Sequence, residues 1–261
     1  MSSENSIYEI EFSEREQYEA LDESVDADIA IIGGGLTGIS AALHLAENGY
    51  AAMVLEAGKL GTGGSGRNGG HVCQGWPNDF YHIQRQLSEK DAKIAWDAGM
   101  AAVKLVKDRV AKYKIDCDLT FGYVEAAYHR RQMGSLDEMQ REWEARGFDG
   151  FTRLDDRKAL SAHVDTDAYV GGLFDSESGH MQPLKYLHGL AAVAREQGAV
   201  IFENTPIVKI ETQTSDGYKH LRTLCGRVVR AKILLLCGNA YLANISLPRM
   251  KSRLAQVTSS V

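Results

Sequence analysis

The stretch that decides the fold is DIAIIGGGLTG, which occupies residues 28–38. Its first five residues form a short apolar run rich in isoleucine, and this run stops at three consecutive glycines. Such a pattern predicts a buried strand that ends in a tight turn. Within the turn, Gly33, Gly35 and Gly38 match the spacing G-x-G-x-x-G, so we expect a helix to start directly after it.

The residues that follow the turn complete a βαβ unit. A helix is predicted from its apolar face, which consists of Leu36, Ile39, Ala42, Leu43 and Ala46. Gly49 ends this helix, and residues 51–55 are then typical of a second strand. Because the crossover is short, the two strands are expected to run parallel, with the helix packed on the sheet. The predicted fold class is therefore α/β.

The glycine turn is also a typical binding site for the pyrophosphate of a dinucleotide. Glycines let the backbone approach the phosphates, and the helix start offers unpaired N–H groups with a partial positive charge. Glu56 closes the second strand about 20 residues beyond the turn, where a carboxylate can accept hydrogen bonds from ribose hydroxyls. An acid there disfavours the 2′-phosphate of NADP. The alternative is a glycine-rich turn without a ligand, and at this point NAD and FAD both remain open.

A second glycine-rich segment, GGSGRNGGH at residues 63–71, favours FAD over NAD. A loop of small residues around one arginine suits the wrapping of an extended cofactor. Its backbone N–H groups and Arg67 would then lie near a phosphate or a polar ring edge. NAD enzymes do not need such a loop directly after the second strand. The alternative interpretation is a flexible surface loop.

Four segments together resemble the D-amino-acid-oxidase superfamily of FAD enzymes. They are residues 28–56, the run SGRNGG at 65–70, GHMQP at 179–183 and CGNAY at 237–241. The resemblance extends from about residue 20 to residue 261. It implies a FAD-binding Rossmann-like βαβ domain with an interleaved β-rich substrate domain. Because the superfamily continues beyond the last residue of this chain, the fold is expected to be incomplete at the C-terminus.

The resemblance also implies which residues hold FAD. Gly33, Gly35 and Gly38 would contact the pyrophosphate, and Glu56 would bind the ribose of the adenosine half. The other candidates lie in the second glycine-rich segment, in a strand expected to meet the adenine, and at a strand-end glycine. They are Ser65, Arg67, Asn68, Gly69, Gly70, Ile207, Val208 and Gly238. FAD is expected to be bound noncovalently.

The reaction implied by the resemblance is the oxidation of an amine. A hydride would pass to the flavin from the carbon that bears a neutral amine, the imine would hydrolyse to an aldehyde, and oxygen would reoxidise the flavin. The implied substrate is gamma-glutamylputrescine or a similar small amine. His71 and His180 are candidates for orienting the substrate or acting as a base, because each lies beside a motif expected to face the flavin. The alternative for each is a packing or hydrogen-bonding histidine.

The domain organisation is predicted in four segments: an acidic arm at 1–25, the FAD-binding domain at 26–80 and again at 181–261, and a substrate-domain part with helices at 81–180. Helices are predicted at residues 89–113, 130–146, 155–163 and 185–197. The first of these is expected to form an apolar face that consists of Ile94, Ala98, Ala101 and Leu105, followed by Val106, Val110 and Tyr113. Strands are predicted at residues 117–128, 200–203, 207–211, 221–225, 226–229 and 233–236.

Charge and composition exclude several functional classes. The net charge is −6, and residues 1–25 hold eight acidic residues against Arg15 alone. The basic residues near the C-terminus are scattered without interleaved aromatic residues, so nucleic-acid binding is not expected. The four cysteines form no C-x-x-C pair, and no histidine spacing suits a metal. The acidic N-terminus and the lack of a long apolar run predict a cytoplasmic chain without a membrane span.

Alternatives remain open for the chain as a whole. It is either a catalytic amine oxidoreductase or a noncatalytic FAD-binding fragment or subunit that needs a partner chain or the missing C-terminal segment. Another amine or amino-acid oxidase of the same superfamily is a further candidate. A NAD-dependent dehydrogenase is disfavoured by the loop at residues 65–70.

Overall fold

The computed structural model of the 261-residue chain describes residues 6–13, 15–76 and 80–245. The chain divides into two compact units. The first unit comprises Met1–Gly69, Tyr113–Cys117 and Gln182–Val261, and the second comprises Gly70–Lys112 and Asp118–Met181. The sequence expectation placed these transitions at residues 80 and 180 and treated residues 1–25 as a separate arm. Its last segment extends to residue 261, and the part beyond residue 245 lies outside the described residues.

The secondary structure alternates between helices and strands. The helices are α1 (Ile7–Glu11), α2 (Leu36–Glu47), α3 (Phe80–Gln84), α4 (Glu89–Tyr113), α5 (Arg130–Glu144), α6 (Arg157–Ser161) and α7 (Pro183–Glu196). The strands are β1 (Val25–Ile32), β2 (Ala52–Leu55), β3 (His71–Val72), β4 (Thr120–Ala127), β5 (Phe151–Leu154), β6 (Gly171–His180), β7 (Val200–Phe202), β8 (Ile207–Glu211), β9 (Lys219–Thr223) and β10 (Val228–Leu236).

A six-stranded sheet in the order β7-β2-β1-β10-β9-β8 forms the centre of the first unit. β1 pairs in parallel with β2 and β10, and β2 pairs in parallel with β7, whereas β9 is antiparallel to both β10 and β8. α2 crosses from β1 to β2 and buries Ile39, Ala42 and Leu43. The carboxyl-terminal residues of β1 and β2 are buried, which explains why the sequence is apolar there. The predicted βαβ unit and the α/β fold class are thereby confirmed.

One strand occupies the region in which two were predicted, at 226–229 and 233–236. β10 runs without a break from Val228 to Leu236. The prediction was wrong because Arg230 and Lys232 interrupt the apolar pattern. In the structure, the Arg230 guanidinium donates to the Asp26 carboxylate at 2.7 Å, and Lys232 Nζ donates to Asp28 Oδ1 at 2.6 Å. These pairs join β10 to β1, so the two basic residues belong inside the strand.

The second unit contains a four-stranded sheet with β6 at its centre. β3, β4 and β5 each pair antiparallel with β6. β6 was not predicted from the sequence, because GGLFDSESGH carries three glycines and no regular apolar alternation. Helices α3, α5 and α6 and most of α4 complete the unit.

The buried face of α4 differs from the predicted one. Ile94 and Leu105 were expected to face the core, but they are 57% and 45% exposed. The helix instead buries a face that includes Trp96 and Val103. The Trp96 ring contacts the rings of Phe80 and Trp143 at centroid distances of 5.1 and 5.0 Å. The large indole therefore sets the rotation of α4, because one buried aromatic ring outweighs two smaller aliphatic side chains.

The acidic N-terminal segment packs on the first unit. Ser6 begins α1 with a capping box, in which its hydroxyl accepts from the Glu9 amide while Glu9 accepts from the Ser6 amide. Further along, the amide of Leu21 donates to Thr205 Oγ1 at 3.0 Å, and Leu21 is buried in the core. Residues 6–13 and 15–24, which we call the N-terminal arm, therefore belong to the first unit through both hydrogen bonds and apolar burial.

His188, on the buried face of α7, gives the first unit a dependence on pH. The Phe12 ring of the arm packs edge-on against the His188 ring at a centroid distance of 5.6 Å. Burial, reinforced by the positive charge of Arg15, lowers the pKa of His188 to about 4 from 6.5. Between these two values the unfolded chain binds a proton that the folded chain does not bind, so stability falls as the pH falls.

Between pH 7.5 and pH 4.5, we expect the free energy of unfolding to fall by about 2.5 kcal/mol less in His188→Leu than in the wild type. The free energy of unfolding, measured in urea at both pH values, checks this value. His44→Leu is the control, because His44 is exposed on α2 and should leave the pH dependence unchanged. An identical pH dependence in the wild type and in His188→Leu would contradict the prediction.

Candidate functional site

A cavity of about 820 Å³ opens in the first unit, where the carboxyl ends of β1, β2 and β10 meet. Parallel strands with a glycine turn at this edge are the typical location of a nucleotide site. One part of its lining comes from the glycine turn, the start of α2 and the end of β2. The other part comes from some of residues 57–68, from the start of β8 and from the segment that follows β10. The lining residues are Ile32, Gly33, Gly35, Leu36, Thr37, Leu55, Glu56, Ala57, Gly58, Gly61, Thr62, Gly63, Gly64, Ser65, Asn68, Pro206, Ile207, Val208, Cys237, Gly238, Asn239, Tyr241, Leu242 and Ile245.

The three glycines of the turn have three different geometric roles. Gly33 has φ +107° and lies so near the end of β10 that a Cβ would be 2.6 Å from the carbonyl oxygen of Cys237. Gly38 lies inside α2, where a Cβ would overlap the carbonyl oxygen of Gly33. Gly35 lines the cavity, as Gly33 does, and a Cβ there would be 2.7 Å from Ser65 Oγ. Gly33 and Gly38 therefore shape the turn, whereas Gly35 keeps space open above it.

The start of α2 supplies the positive potential of the cavity. Among the described residues that line it, none is a lysine or an arginine. The first N–H groups of a helix have no partner inside the helix and carry a partial positive charge. One of them, the Leu36 amide, donates to Ser65 Oγ at 3.0 Å. This arrangement can hold an anionic group such as a pyrophosphate through backbone donors.

Glu56 is held in place at the end of β2. Its Oε2 accepts from the Gly34 amide at 2.6 Å, and its Oε1 accepts from the Gly58 amide at 2.9 Å. Each carboxylate oxygen has a second lone pair available for another donor. The carboxylate is therefore positioned by the backbone and can still accept hydrogen bonds from the hydroxyl groups of a ribose.

The second glycine-rich segment contributes only part of its predicted residues to the cavity. Ser65 and Asn68 line it, and Asn68 Nδ2 donates to the carbonyl oxygens of Gly64 and Ser65 at 3.0 and 2.9 Å. Arg67 has a 40% exposed side chain, lies 3.6 Å from the Glu9 carboxylate and is not among the lining residues. Gly69 and Gly70 do not line the cavity either. For these three residues, a role at the cofactor stays a prediction.

The opposite wall of the cavity contains the remaining candidates and several residues that were not predicted. Ile207, Val208 and Gly238 line it, as the sequence suggested. Asn239 and Tyr241 were missed as site residues. A signal for Asn239 was present, since the Gly-Asn pair directly after a strand is typical of a turn, and Asn239 has φ +48°.

The two candidate histidines meet in the second unit. His71 on β3 and His180 on β6 are direct partners in the antiparallel pairing, so their side chains lie on the same face of the sheet. Both are exposed. The His71 ring also contacts the Tyr123 ring edge-on at a centroid distance of 5.9 Å. The sequence separated these histidines by more than one hundred residues and gave no sign of their pairing.

Cys73 and Tyr123 lie near the histidines with altered acidity. Burial, together with the charges of Asp175 and Glu125, raises the pKa of the Cys73 thiol. Burial and the Glu125 charge also raise the pKa of Tyr123. Both groups therefore stay protonated at neutral pH, and the Cys73 thiol is a poor nucleophile.

Two further properties of the described residues bear on function. No cluster of three or more His, Cys, Asp or Glu side chains among them is arranged to hold a metal ion. Of the helices that the described ranges contain, none combines the length and apolar character that a membrane span requires.

Known proteins share both the sequence and the fold. Residues 28–260 match the family model described as DAO, FAD dependent oxidoreductase. The chain is 36% identical over 87% of its length to a probable oxidoreductase OrdL of Haemophilus influenzae, and 32% identical over 95% of its length to a gamma-glutamylputrescine oxidoreductase of Escherichia coli. Glycine oxidase from Geobacillus kaustophilus shares the fold with a TM-score of 0.69 at 20% identity, over 84% of this chain and 57% of that one.

The chain spans 52% and 57% of the lengths of the two curated relatives, which is about half. The family match covers most of the chain and includes the glycine turn, Glu56, the second glycine-rich segment and Gly238. It also decides between the two dinucleotides that the turn alone left open, because the cofactor of this family is FAD. The resemblance inferred from the four segments is thereby confirmed, and the chain belongs to the DAO family of FAD-dependent oxidoreductases.

Proposed function

We propose that this chain is the cofactor-binding part of a flavin-dependent amine oxidoreductase. The observation that carries the proposal is the cavity of the first unit, where the glycine turn, the start of α2 and the fixed Glu56 carboxylate are placed together. The proposed substrate is gamma-glutamylputrescine or a similar primary amine, which is oxidised to an aldehyde. Oxygen is the proposed electron acceptor. The similarity to the Escherichia coli enzyme supports the choice of substrate.

The residues of the cavity bind and orient the cofactor. The backbone donors at the start of α2 would take the pyrophosphate, and Glu56 would accept from the ribose hydroxyls. The wall that contains Ile207 and Val208 would cover the adenine. FAD, when bound, supplies a hydride acceptor for the carbon that bears the amine.

We propose noncovalent binding of FAD. Cys237 is a thiol that lines the cavity, and burial raises its pKa, so it stays protonated and is a poor nucleophile toward a flavin. The raised pKa of Cys73 likewise makes that thiol a poor nucleophile toward a flavin. Acid precipitation of the loaded protein should therefore leave the yellow colour in the supernatant.

His71 and His180 are the proposed groups that contact the substrate. They are exposed neighbours on one sheet face, and two adjacent imidazoles can orient an amine or accept its proton. Tyr123, in ring contact with His71, would fix the position of that imidazole.

The experiment that tests the proposal is anaerobic reduction followed by visible absorption. The purified chain is loaded with FAD, and gamma-glutamylputrescine is added without oxygen. The flavin bands should bleach and return when air is admitted. The same compound with its primary amine acetylated is the control and should leave the bands unchanged. His71→Ala and His180→Ala should bleach more slowly at equal flavin content, whereas a chain that retains no FAD would contradict the proposal.

A noncatalytic FAD-binding subunit is the second candidate function. The chain spans about half of its curated relatives, and Ile233 on the central strand β10 is 53% exposed. Because parallel strands are normally covered on both faces of the sheet, an exposed isoleucine on β10 suits coverage by a partner chain or by a further segment. A yellow protein that does not bleach with any amine, and that bleaches once a partner chain is added, would favour this second function.

Glu56→Ala should weaken FAD binding by about tenfold to one hundredfold, because hydrogen bonds to a charged acceptor contribute about 1.5–3 kcal/mol. Turnover of the loaded form should remain close to that of the wild type, since Glu56 lies at the adenosine half. Titration of the apoprotein with FAD gives the dissociation constant. Glu23→Ala is the control, because Glu23 is exposed and does not line the cavity. Equal FAD affinity in Glu56→Ala and the wild type would remove Glu56 from the site.

A further inference from the structure

The N-terminal arm makes two direct hydrogen bonds to the second glycine-rich segment. The Tyr8 hydroxyl donates to the carbonyl oxygen of Asn68 at 2.9 Å, and Ser6 Oγ donates to the carbonyl oxygen of Gly66 at 3.3 Å. About 60 residues of the chain separate the arm from these two carbonyl groups, so the bonds join distant parts of the sequence. The arm therefore fixes the backbone of this loop from outside.

The arm is itself held in place on the first unit. Gln182 Nε2 donates to the carbonyl oxygen of Tyr8 at 3.4 Å, and the Phe12 ring packs on His188. The buried Glu203 carboxylate accepts from the Tyr18 amide at 3.2 Å and from the Leu60 amide at 2.6 Å. One buried carboxylate thus joins the arm to Leu60, three residues before the second glycine-rich segment. These contacts give the arm a defined position from which it can act on the loop.

The loop residues that the arm holds lead directly to the cavity. Asn68, whose carbonyl accepts from Tyr8, donates from its side chain to the carbonyl oxygens of Gly64 and Ser65. Ser65 in turn accepts from the Leu36 amide at the start of α2. Only three hydrogen-bonded steps separate the Tyr8 hydroxyl from the helix terminus that faces the cofactor cavity.

The arm also forms an ion pair with Arg67, the arginine of the second glycine-rich segment. The Glu9 carboxylate lies 3.2 Å from Arg15 and 3.6 Å from Arg67, and its side chain is 12% exposed. Although burial opposes the charged form, the Ser6 amide and the two arginines lower the pKa of Glu9. The carboxylate is therefore ionised at neutral pH and holds Arg67 on the side of the arm.

We propose that the N-terminal arm positions residues 64–68 of the second glycine-rich segment, and that Tyr8 is its main positioning residue. The inference rests on the proposed binding of FAD in the cavity of the first unit. Within this hydrogen-bond chain the arm contacts the lining residue Asn68 directly, and it acts by limiting the motion of residues 64–68 before the cofactor arrives. Binding then orders fewer residues, so affinity is higher.

The test compares Tyr8→Phe, which removes only the hydroxyl, with Tyr50→Phe as the matched control. Tyr50 is an exposed tyrosine of the same unit and does not line the cavity. Hydrogen exchange of the FAD-free chain is followed in peptides that span residues 61–69. Exchange there should be about fivefold faster in Tyr8→Phe than in the wild type, as expected for one lost hydrogen bond, and unchanged in Tyr50→Phe.

The FAD dissociation constant is the second measurement. It should rise about fivefold in Tyr8→Phe, at an unchanged thermal midpoint of the FAD-free chain, and remain constant in Tyr50→Phe. Unchanged exchange at residues 61–69 would overturn the inference whether or not the chain binds FAD. Faster exchange with an unchanged dissociation constant would also overturn it, because the loop would then be ordered without benefit to the cofactor. A wild type that binds no FAD would overturn the proposed function, while the exchange result would still decide whether the arm orders the loop.

Discussion

Gly35→Val should fold normally and retain less than about one tenth of the FAD that the wild type binds. Gly35 has φ −82° and ψ −177°, an extended conformation that valine adopts readily, so the backbone imposes no strain. A Cβ there would be 2.7 Å from Ser65 Oγ, and this flexible side chain can move aside. The valine methyl groups would instead occupy the space above the start of α2, where the pyrophosphate must approach. The absorbance ratio of flavin to protein after reconstitution measures the effect.

The matched control is the same substitution at Gly134. This glycine lies inside α5, and no atom lies within 4 Å of a Cβ built on it. Gly134→Val should therefore retain full flavin content. Circular dichroism of both variants separates a lost cofactor from a lost fold. A folded Gly35→Val chain with wild-type flavin content would show that the pyrophosphate does not bind at this turn.

Gly38→Ala, in contrast to Gly35→Val, should lower the free energy of unfolding of the FAD-free chain. A Cβ at Gly38 would overlap the carbonyl oxygen of Gly33 and would lie 3.3 Å from Ile31 Cγ2, so α2 must move away from β1. Forced separation of closely packed elements costs about 3 kcal/mol. For a chain of this size, the thermal midpoint should fall by roughly 6–12 °C, which differential scanning calorimetry of the FAD-free chain can measure.

Gly134→Ala is again the control, since it adds the same methyl group to a glycine in another helix. Because the position is open, alanine should raise stability by about 0.5–1 kcal/mol through its better helix propensity. The two substitutions thus have opposite expected signs. A thermal midpoint in Gly38→Ala equal to that of the wild type would mean that α2 does not need the close contact with β1.

The parts of the structure that the sequence predicts are those set by short-range geometry. The strand, turn and helix around Gly33 follow from an apolar run, three glycines and helical periodicity, all within about 30 residues. Glu56 follows from the same unit, since the end of β2 is fixed by the length of the crossover. Each of these features depends on neighbours in the chain, so one sequence is enough to infer them.

The parts that the sequence could not predict depend on contacts between distant residues. The buried face of α4 is set by Trp96 against Trp143, and the continuity of β10 is set by Asp26 and Asp28 on β1. Likewise, Arg67 lies 3.6 Å from the carboxylate of Glu9, which belongs to the acidic N-terminal segment about 60 residues earlier in the chain. No local pattern encodes such partners, because they are chosen by the tertiary fold.

The pairing of β1 with β10 has a consequence for synthesis of the chain. Asp26 and Arg230 are 204 residues apart, so one side of β1 stays without its partner until about 200 further residues have been made. At about 5–20 residues per second this delay is roughly 10–40 s. An apolar strand with an open edge is prone to pair with other chains during that time. Asp26 and Asp28 place two negative charges on this strand, and we expect them to keep nascent chains apart until Arg230 and Lys232 emerge and neutralise them.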